Sequence, residues 1–184
     1  MQTEIIISGF GGQGVLFAGQ LLSYAALEKD LHVTWFPSYG PEMRGGTAHC
    51  TVIISDDEIG SPVIRNPTAA IVMNLPSLDK YEPLVKTDGV LVVNTSLVDR
   101  DPEREDLQIE LVPANEIAEE LGDKRLANLV MLGALLNHLD VLSIDEVGAS
   151  LKRHIPAHHR DLLQGNIKAM QRGTALAAGE KLAT

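Results

Sequence analysis

One short stretch constrains this chain more than any other: Ser8-Gly9-Phe10-Gly11-Gly12-Gln13-Gly14. It lies between an apolar run, Glu4 to Ile7, and an amphipathic run, Val15 to Lys29. Gly9, Gly11 and Gly14 fall at the G-x-G-x-x-G spacing, and the order strand, glycine turn, helix is the context in which that spacing has structural meaning. Without Cβ atoms the backbone can turn tightly and come close to a ligand. The following helix aims its unpaired N–H groups and the positive end of its dipole at the turn, which suits a phosphate-like anion. Gly9, Gly11, Gly12, Gln13 and Gly14 are therefore candidate anion-binding residues. A plainer reading, in which the glycines serve packing alone, stays open.

A β-turn-α opening predicts an α/β fold, and the rest of the pattern agrees. Leu31 to Phe36 reads as a second strand, but its end, Thr34-Trp35-Phe36-Pro37, carries no carboxylate to hold a ribose, which argues against NAD or FAD. Thr47 to Ser55 alternates, with Ala48, Cys50, Val52 and Ile54 on one face, and with Ile59 to Arg65 it is expected to form a β-hairpin across Asp56-Asp57-Glu58. Ala69 to Leu75, Val90 to Asn94 and Leu107 to Val112 read as buried parallel strands. Helices are expected at Ser77 to Lys86, Pro113 to Leu121, Asn128 to Leu139, Ser143 to His154 and His159 to Lys181, with Ser143 and Glu146 as a capping box. The predicted fold is a Rossmann-like mixed sheet, mostly parallel with one β-hairpin, helices on both faces, in a single domain spanning 1–184.

Pro37-Ser38-Tyr39-Gly40-Pro41-Glu42-Met43-Arg44-Gly45-Gly46 follows a strand where a crossover helix is due. Such a Gly/Pro-rich segment is a shaped loop with its own task, or a surface loop closed by a Glu42–Arg44 pair. In the functional reading it sits beside the glycine turn, and Arg44 serves an anion or a partner's carboxylate.

Composition excludes several classes. A formal net charge of −10 with 4% aromatic residues offers neither a basic stripe nor stacking platforms for nucleic acid. No apolar run has the length of a membrane span, no signal-like leader opens the chain, and the expected compartment is cytoplasmic. The single cysteine, Cys50, rules out an iron–sulfur cluster or zinc site held by this chain's cysteines alone, and its place on an apolar strand face predicts an inert thiol. His154, His158 and His159 lack a carboxylate partner and are interrupted by Pro156, so no metal site is expected. No nucleophile set presents itself, and no catalytic residue is assigned.

Three motifs together carry a resemblance: Gly9-Phe10-Gly11-Gly12-Gln13-Gly14, Ser38-Tyr39-Gly40-Pro41-Glu42-Met43-Arg44-Gly45-Gly46, and Asn128-Leu129-Val130-Met131-Leu132-Gly133. With the late Asn166-Ile167-Lys168-Ala169-Met170, they resemble the gamma subunit of 2-oxoacid:ferredoxin oxidoreductases over essentially the whole chain. The resemblance implies a subunit of an enzyme that decarboxylates a 2-oxoacid on thiamine pyrophosphate, passes electrons through iron–sulfur clusters to ferredoxin and releases an acyl-CoA. It implies alpha, beta and possibly delta partner subunits, which would carry the thiamine cofactor and the clusters. This chain would contribute a coenzyme A-binding surface and a docking face, with Ser38, Tyr39, Gly40, Arg44, Gly45 and Gly46 near the coenzyme or the partner. 2-Oxoglutarate is the expected substrate, with pyruvate and branched-chain oxoacids as alternatives. A purely structural interface subunit, or an autonomous nucleotide- or acyl-CoA-binding module, are the competing readings.

Overall fold

A computed structural model describes residues 1–40 and 45–179. Six strands form one sheet in the order β2-β3-β1-β4-β5-β6. They are β1 (Gln2–Phe10), β2 (His32–Tyr39), β3 (Thr47–Ser55), β4 (Ala69–Val72), β5 (Val90–Asn94) and β6 (Gln108–Val112). β1, β4, β5 and β6 pair in parallel, while β3 runs antiparallel to both β1 and β2. The mostly parallel mixed sheet is as the sequence predicts.

The hairpin lies elsewhere. Residues 59–65 form no strand, and β3 finds its hairpin partner in β2, across the Gly/Pro segment. Ile59 to Arg65 has apolar residues but no alternation, because Gly60, Ser61 and Pro62 break it, and its exposed Val63 has no sheet face to cover. β2 also runs three residues further than expected, through Pro37-Ser38-Tyr39. A proline is tolerated there because β2 is an edge strand, where a missing N–H can face away from the ladder.

The helices are α1 (Val15–Leu27), α2 (Leu75–Tyr81), α3 (Ala114–Glu120), α4 (Ala127–Leu136), α5 (Ile144–His154) and α6 (Leu163–Ala177). Side chains alternate across the sheet, so Ile5 and Ile7 join a core with α1 and α3 to α6, while Ile6, Ala70, Val72, Leu91 and Val93 meet Leu78 and Tyr81 of the α2 side. Every residue of α4 is buried, as a helix apolar all round must be. It is crossed by α6 at Gly133 and Gly173, where the two backbones touch: a Cβ on Gly173 would lie 2.9 Å from Ala134 N. Ser143 and Glu146 form the expected capping box at the start of α5.

Candidate functional site

The carboxyl ends of β1, β4 and β5 meet at one rim, the usual place for a ligand in an open parallel sheet. At that rim Gly12 and Gly14 have φ of 99° and 74°, a left-handed backbone that favours glycine. Gly9 and Gly14 have a second reason. A Cβ on Gly9 would meet the Gln13 carboxamide and lie 2.8 Å from Met73 Cβ, and one on Gly14 would lie 2.8 Å from Asn128 Cγ. Part of the glycine motif thus serves packing, whereas a Cβ on Gly12 would meet nothing within 4 Å.

The hydrogen bonds decide what the rim can bind. Phe10 N–H donates to Gln13 Oε1 at 2.5 Å, and Gly11 N–H donates to the Gly46 carbonyl at 2.8 Å. The N–H groups of Val15, Leu16 and Phe17 precede the first intrahelical bond of α1, which Ala18 makes to the Gly14 carbonyl at 3.1 Å. Buried Asn94 Oδ1 accepts from the Ala114 and Ser96 N–H groups, so its Nδ2 must be the donor to the Met73 carbonyl and to Asn115 Oδ1. The bonds that Gln13 Oε1 and Asn115 Oδ1 accept fix the orientation of the two carboxamides, and among the described residues their NH2 groups have no acceptor. Both residues line a cleft of about 240 Å3 with Gly12, Met73, Lys124, Arg125 and Ala127. The polar side chains of this cleft offer donors and two cations in a chain of net charge −10.

Lys124 is paired with Glu119 at 2.9 Å and Arg125 with Asp123 at 2.7 Å, both cations being largely exposed. These contacts raise the pKa of each cation, keeping both charged. Exposed pairs contribute little when held by a single contact, as Lys124–Glu119 is, so an anion can share or displace Glu119 at small cost.

Of the residues singled out in the sequence, Gly12 and Gln13 line this cleft, while Gly9, Gly11 and Gly14 shape the turn behind it. Ser38 and Tyr39 lie opposite His49 and Ala48 in the β2–β3 ladder, and Gly40 N–H donates to the Thr47 carbonyl at 2.7 Å. The Gly11–Gly46 bond therefore joins the hairpin to the glycine turn, as expected, although β3 stands between β1 and β2. The hairpin borders the turn on the β3 side; the cleft opens on the β4–α3 side. Arg44 lies outside the described residues. His49 is held below the ordinary histidine pKa, by burial first and by the Lys80 charge second. Burial pushes the Cys50 thiol up to about 12, so the expectation of an inert cysteine is met.

Asn115, Lys124 and Arg125 were not singled out from the sequence. Two signals were available: Asn115 follows the strand β6 at the start of a helix, and Lys124-Arg125 is an adjacent basic pair in an acidic chain.

Comparison with known proteins supplies the rest. Residues 4–176 match the family model described as pyruvate ferredoxin/flavodoxin oxidoreductase. The chain belongs to this family. Among relatives, the ketoisovalerate oxidoreductase subunit VorA of Methanothermobacter marburgensis is 41% identical over 145 residues, which are 79% of this chain and 30% of that protein. The chain thus spans about a third of the length of that relative. The 2-oxoglutarate synthase subunit KorC of the same organism is 36% identical over 183 residues, covering 96% of this chain and 97% of the relative. Among solved structures of oxidoreductase family members, the gamma subunit of the keto/oxoacid ferredoxin oxidoreductase of Geobacter sulfurreducens superposes with a TM-score of 0.82. It is 31% identical, and the match covers 96% of this chain and 99% of that one. The 2-oxoglutarate:ferredoxin oxidoreductase of Magnetococcus marinus shares the fold at a TM-score of 0.87 and 23% identity, covering 99% of this chain and 32% of that one.

Proposed function

We infer that this chain works as the gamma-type subunit of a 2-oxoacid:ferredoxin oxidoreductase, as one unit over 1–184, and that its donor-lined cleft holds phosphate groups of coenzyme A. The complex would convert a 2-oxoacid and coenzyme A to acyl-CoA and carbon dioxide while reducing ferredoxin. The single observation that carries the cleft assignment is the pairing of Gln13 and Asn115: both oxygens are committed, which leaves NH2 donors beside Gly12, Lys124 and Arg125. An anion of high charge density is the ligand such a set favours.

The division of labour supports the same reading. Cys50 is buried with a pKa of about 12, so it is unsuited to ligate a cluster, and thiamine pyrophosphate and the iron–sulfur clusters would belong to alpha, beta or delta subunits. Among the described residues no helix is long and apolar enough to cross a membrane, consistent with a cytoplasmic complex. A near full-length relative being a 2-oxoglutarate synthase subunit favours 2-oxoglutarate, although the ketoisovalerate relative is more alike over a shorter span. Within this chain the residues bind and orient: Gly12 admits the phosphate, Gln13 and Asn115 donate to it, and Lys124 and Arg125 balance its charge. The β2–β3 hairpin meets the partner subunit.

Titration of the assembled complex with coenzyme A by calorimetry tests the cleft. Gly12→Asp places a carboxylate at its open point and is expected to weaken coenzyme A by tenfold or more; unchanged affinity and turnover would reject the assignment. A structural role for the turn is the second reading, and the contacts of Gly9 and Gly14 favour it for those two positions. Arg44→Ala separates the roles, because loss of assembly with coenzyme affinity intact marks an interface residue.

A further inference from the structure

The helices leave part of the sheet bare. α1 packs against β2 and β3 from one side, and Val33 and Trp35 of β2 turn inward to the core it shares. On the other side α2 lies on β1 and β4. Successive side chains alternate, so that second side of β2 and β3 carries Thr34, Phe36, Ser38, His49 and Thr51. An antiparallel pair can leave one face to water when that face is polar. Phe36 breaks the pattern. It is 58% exposed, with Thr51 opposite it and Ser38 two residues along, short side chains that leave it uncovered.

Beside this aromatic lies a polar spot. His49, in register with Ser38 and Ser8, is a diagonal neighbour of Phe36, about 7–8 Å away. Its half-buried imidazole makes no hydrogen bond among the described residues, and its depressed pKa leaves a neutral ring that can donate and accept. The ring centroid stands 5.9 Å from that of Tyr81, and Lys80 Nζ lies 4.9 Å from the Tyr81 centroid. Lys80 is exposed and forms no ion pair among the described residues; the acids nearest it in sequence, Asp79 and Glu82, are held by Arg100 at 2.7 and 3.1 Å. An exposed aromatic ringed by small polar groups, next to an uncompensated cation, has the anatomy of a protein interface.

Three observations identify the occupant. Phe36 asks for an apolar side chain and Lys80 for a carboxylate, so charge and polarity are both specified. The ketoisovalerate oxidoreductase relative contains this unit as 30% of its length, so in that protein the unit is joined to a much larger body of chain. The β2–β3 hairpin, inferred above to meet a partner, is the edge of this same face.

We propose that a partner subunit of the oxidoreductase docks on this open face, laying an apolar side chain on Phe36 and a carboxylate against Lys80 and His49. The proposal rests on the subunit reading and adds to it which side of the sheet is covered. The donor cleft lies towards α3 and α4, across the sheet from this surface.

Titration of the full chain with the purified alpha and beta subunits of its oxidoreductase, read by analytical ultracentrifugation, tests the contact. Phe36→Ala is expected to weaken assembly by about tenfold or more, as loss of a central aromatic anchor does, and Phe36→Tyr to restore it to within about threefold. Lys80→Glu is expected to weaken it by about tenfold at low salt and by less at high salt. Leu27→Ala removes a comparably exposed apolar side chain (53%) from the end of α1, and should assemble as the parent does. The free variants should melt within about 2 °C of the parent, as surface substitutions do. Complexes that form should keep the parent's coenzyme A affinity, which separates this face from the cleft. If the parent assembles and both Phe36→Ala and Lys80→Glu assemble equally well, the face proposal falls and the subunit reading stands. If the parent does not associate with these subunits at all, both fall. Self-association of the free chain that Phe36→Ala abolishes would make the occupant a second copy and overturn the proposal. Weak assembly with a lowered melting temperature and no rescue by Phe36→Tyr would mark a structural loss and overturn it too.

Discussion

Gly133→Ala is expected to be one of the more damaging single-methyl additions this chain can suffer. A Cβ at 133 would lie 2.7 Å from the Met170 carbonyl carbon and 2.8 Å from its Cα, with the carbonyl oxygen nearer still. Carbon atoms rest at about 3.5–4.0 Å, so α4 and α6 would have to separate by close to 1 Å. The obstacle is backbone, which cannot rotate aside as a side chain can. Overpacking of this kind costs about 3 kcal/mol, at the upper end of its usual range. For a domain of this size that corresponds to a fall in Tm of about 6–12 °C. Gly148→Ala in α5 is the control. It sits in a helix interior with nothing within 4 Å of its Cβ, and it should gain about 0.5–1 kcal/mol from helix propensity. Calorimetric melting of the two variants should therefore move in opposite directions. A Tm for Gly133→Ala within about 2 °C of the parent would refute the claim that backbone contact sets the α4–α6 spacing.

Three further outcomes are expected. Cys50, with its pKa at about 12, should resist alkylation at pH 8 in the folded chain and react quickly once the chain is unfolded, as mass spectrometry would report. Glu28 is held down to about 2, first by its hydrogen bond to Arg153 and also by one to His154. Its contribution is complete above the unfolded value of 4.5 and lost as pH falls from there through about 2; Glu28→Gln should remove that slope from an acid titration, costing at most about 1 kcal/mol at neutral pH. Ser143→Ala removes the α5 capping box and should lower stability by about 1 kcal/mol, a Tm loss of about 2–4 °C by calorimetry.

What the sequence could say follows from how far each interaction reaches along the chain. The cap at Ser143 and Glu146 involves residues three apart, and the apolar run of α4 has one possible environment, so both are visible locally. Strand pairing is not local. Thr47 to Ser55 announces a strand, but choosing β2 over residues 59–65 as its neighbour depends on the hairpin that crosses the Gly/Pro segment. The glycine turn is equally plain, yet its character depends on Asn115, Lys124, Arg125 and Asn128, which return to it only after β6. Separations of more than a hundred positions between Gly14 and Asn128 leave no periodic trace. The motif therefore shows the turn, while the side chains that surround it come from distant parts of the chain.

Asn94 has a consequence beyond its own hydrogen bonds. By tying the Ala114 and Ser96 amides, the Met73 carbonyl and the Asn115 side chain to a single carboxamide, it clamps the ends of β4 and β5 to the start of α3. The rim is thus set before any ligand arrives, and binding need not spend free energy on ordering loops. On the coenzyme reading proposed above, a rim held in this way would let assembly with partner subunits and coenzyme capture occur in either sequence, each finding the same shape.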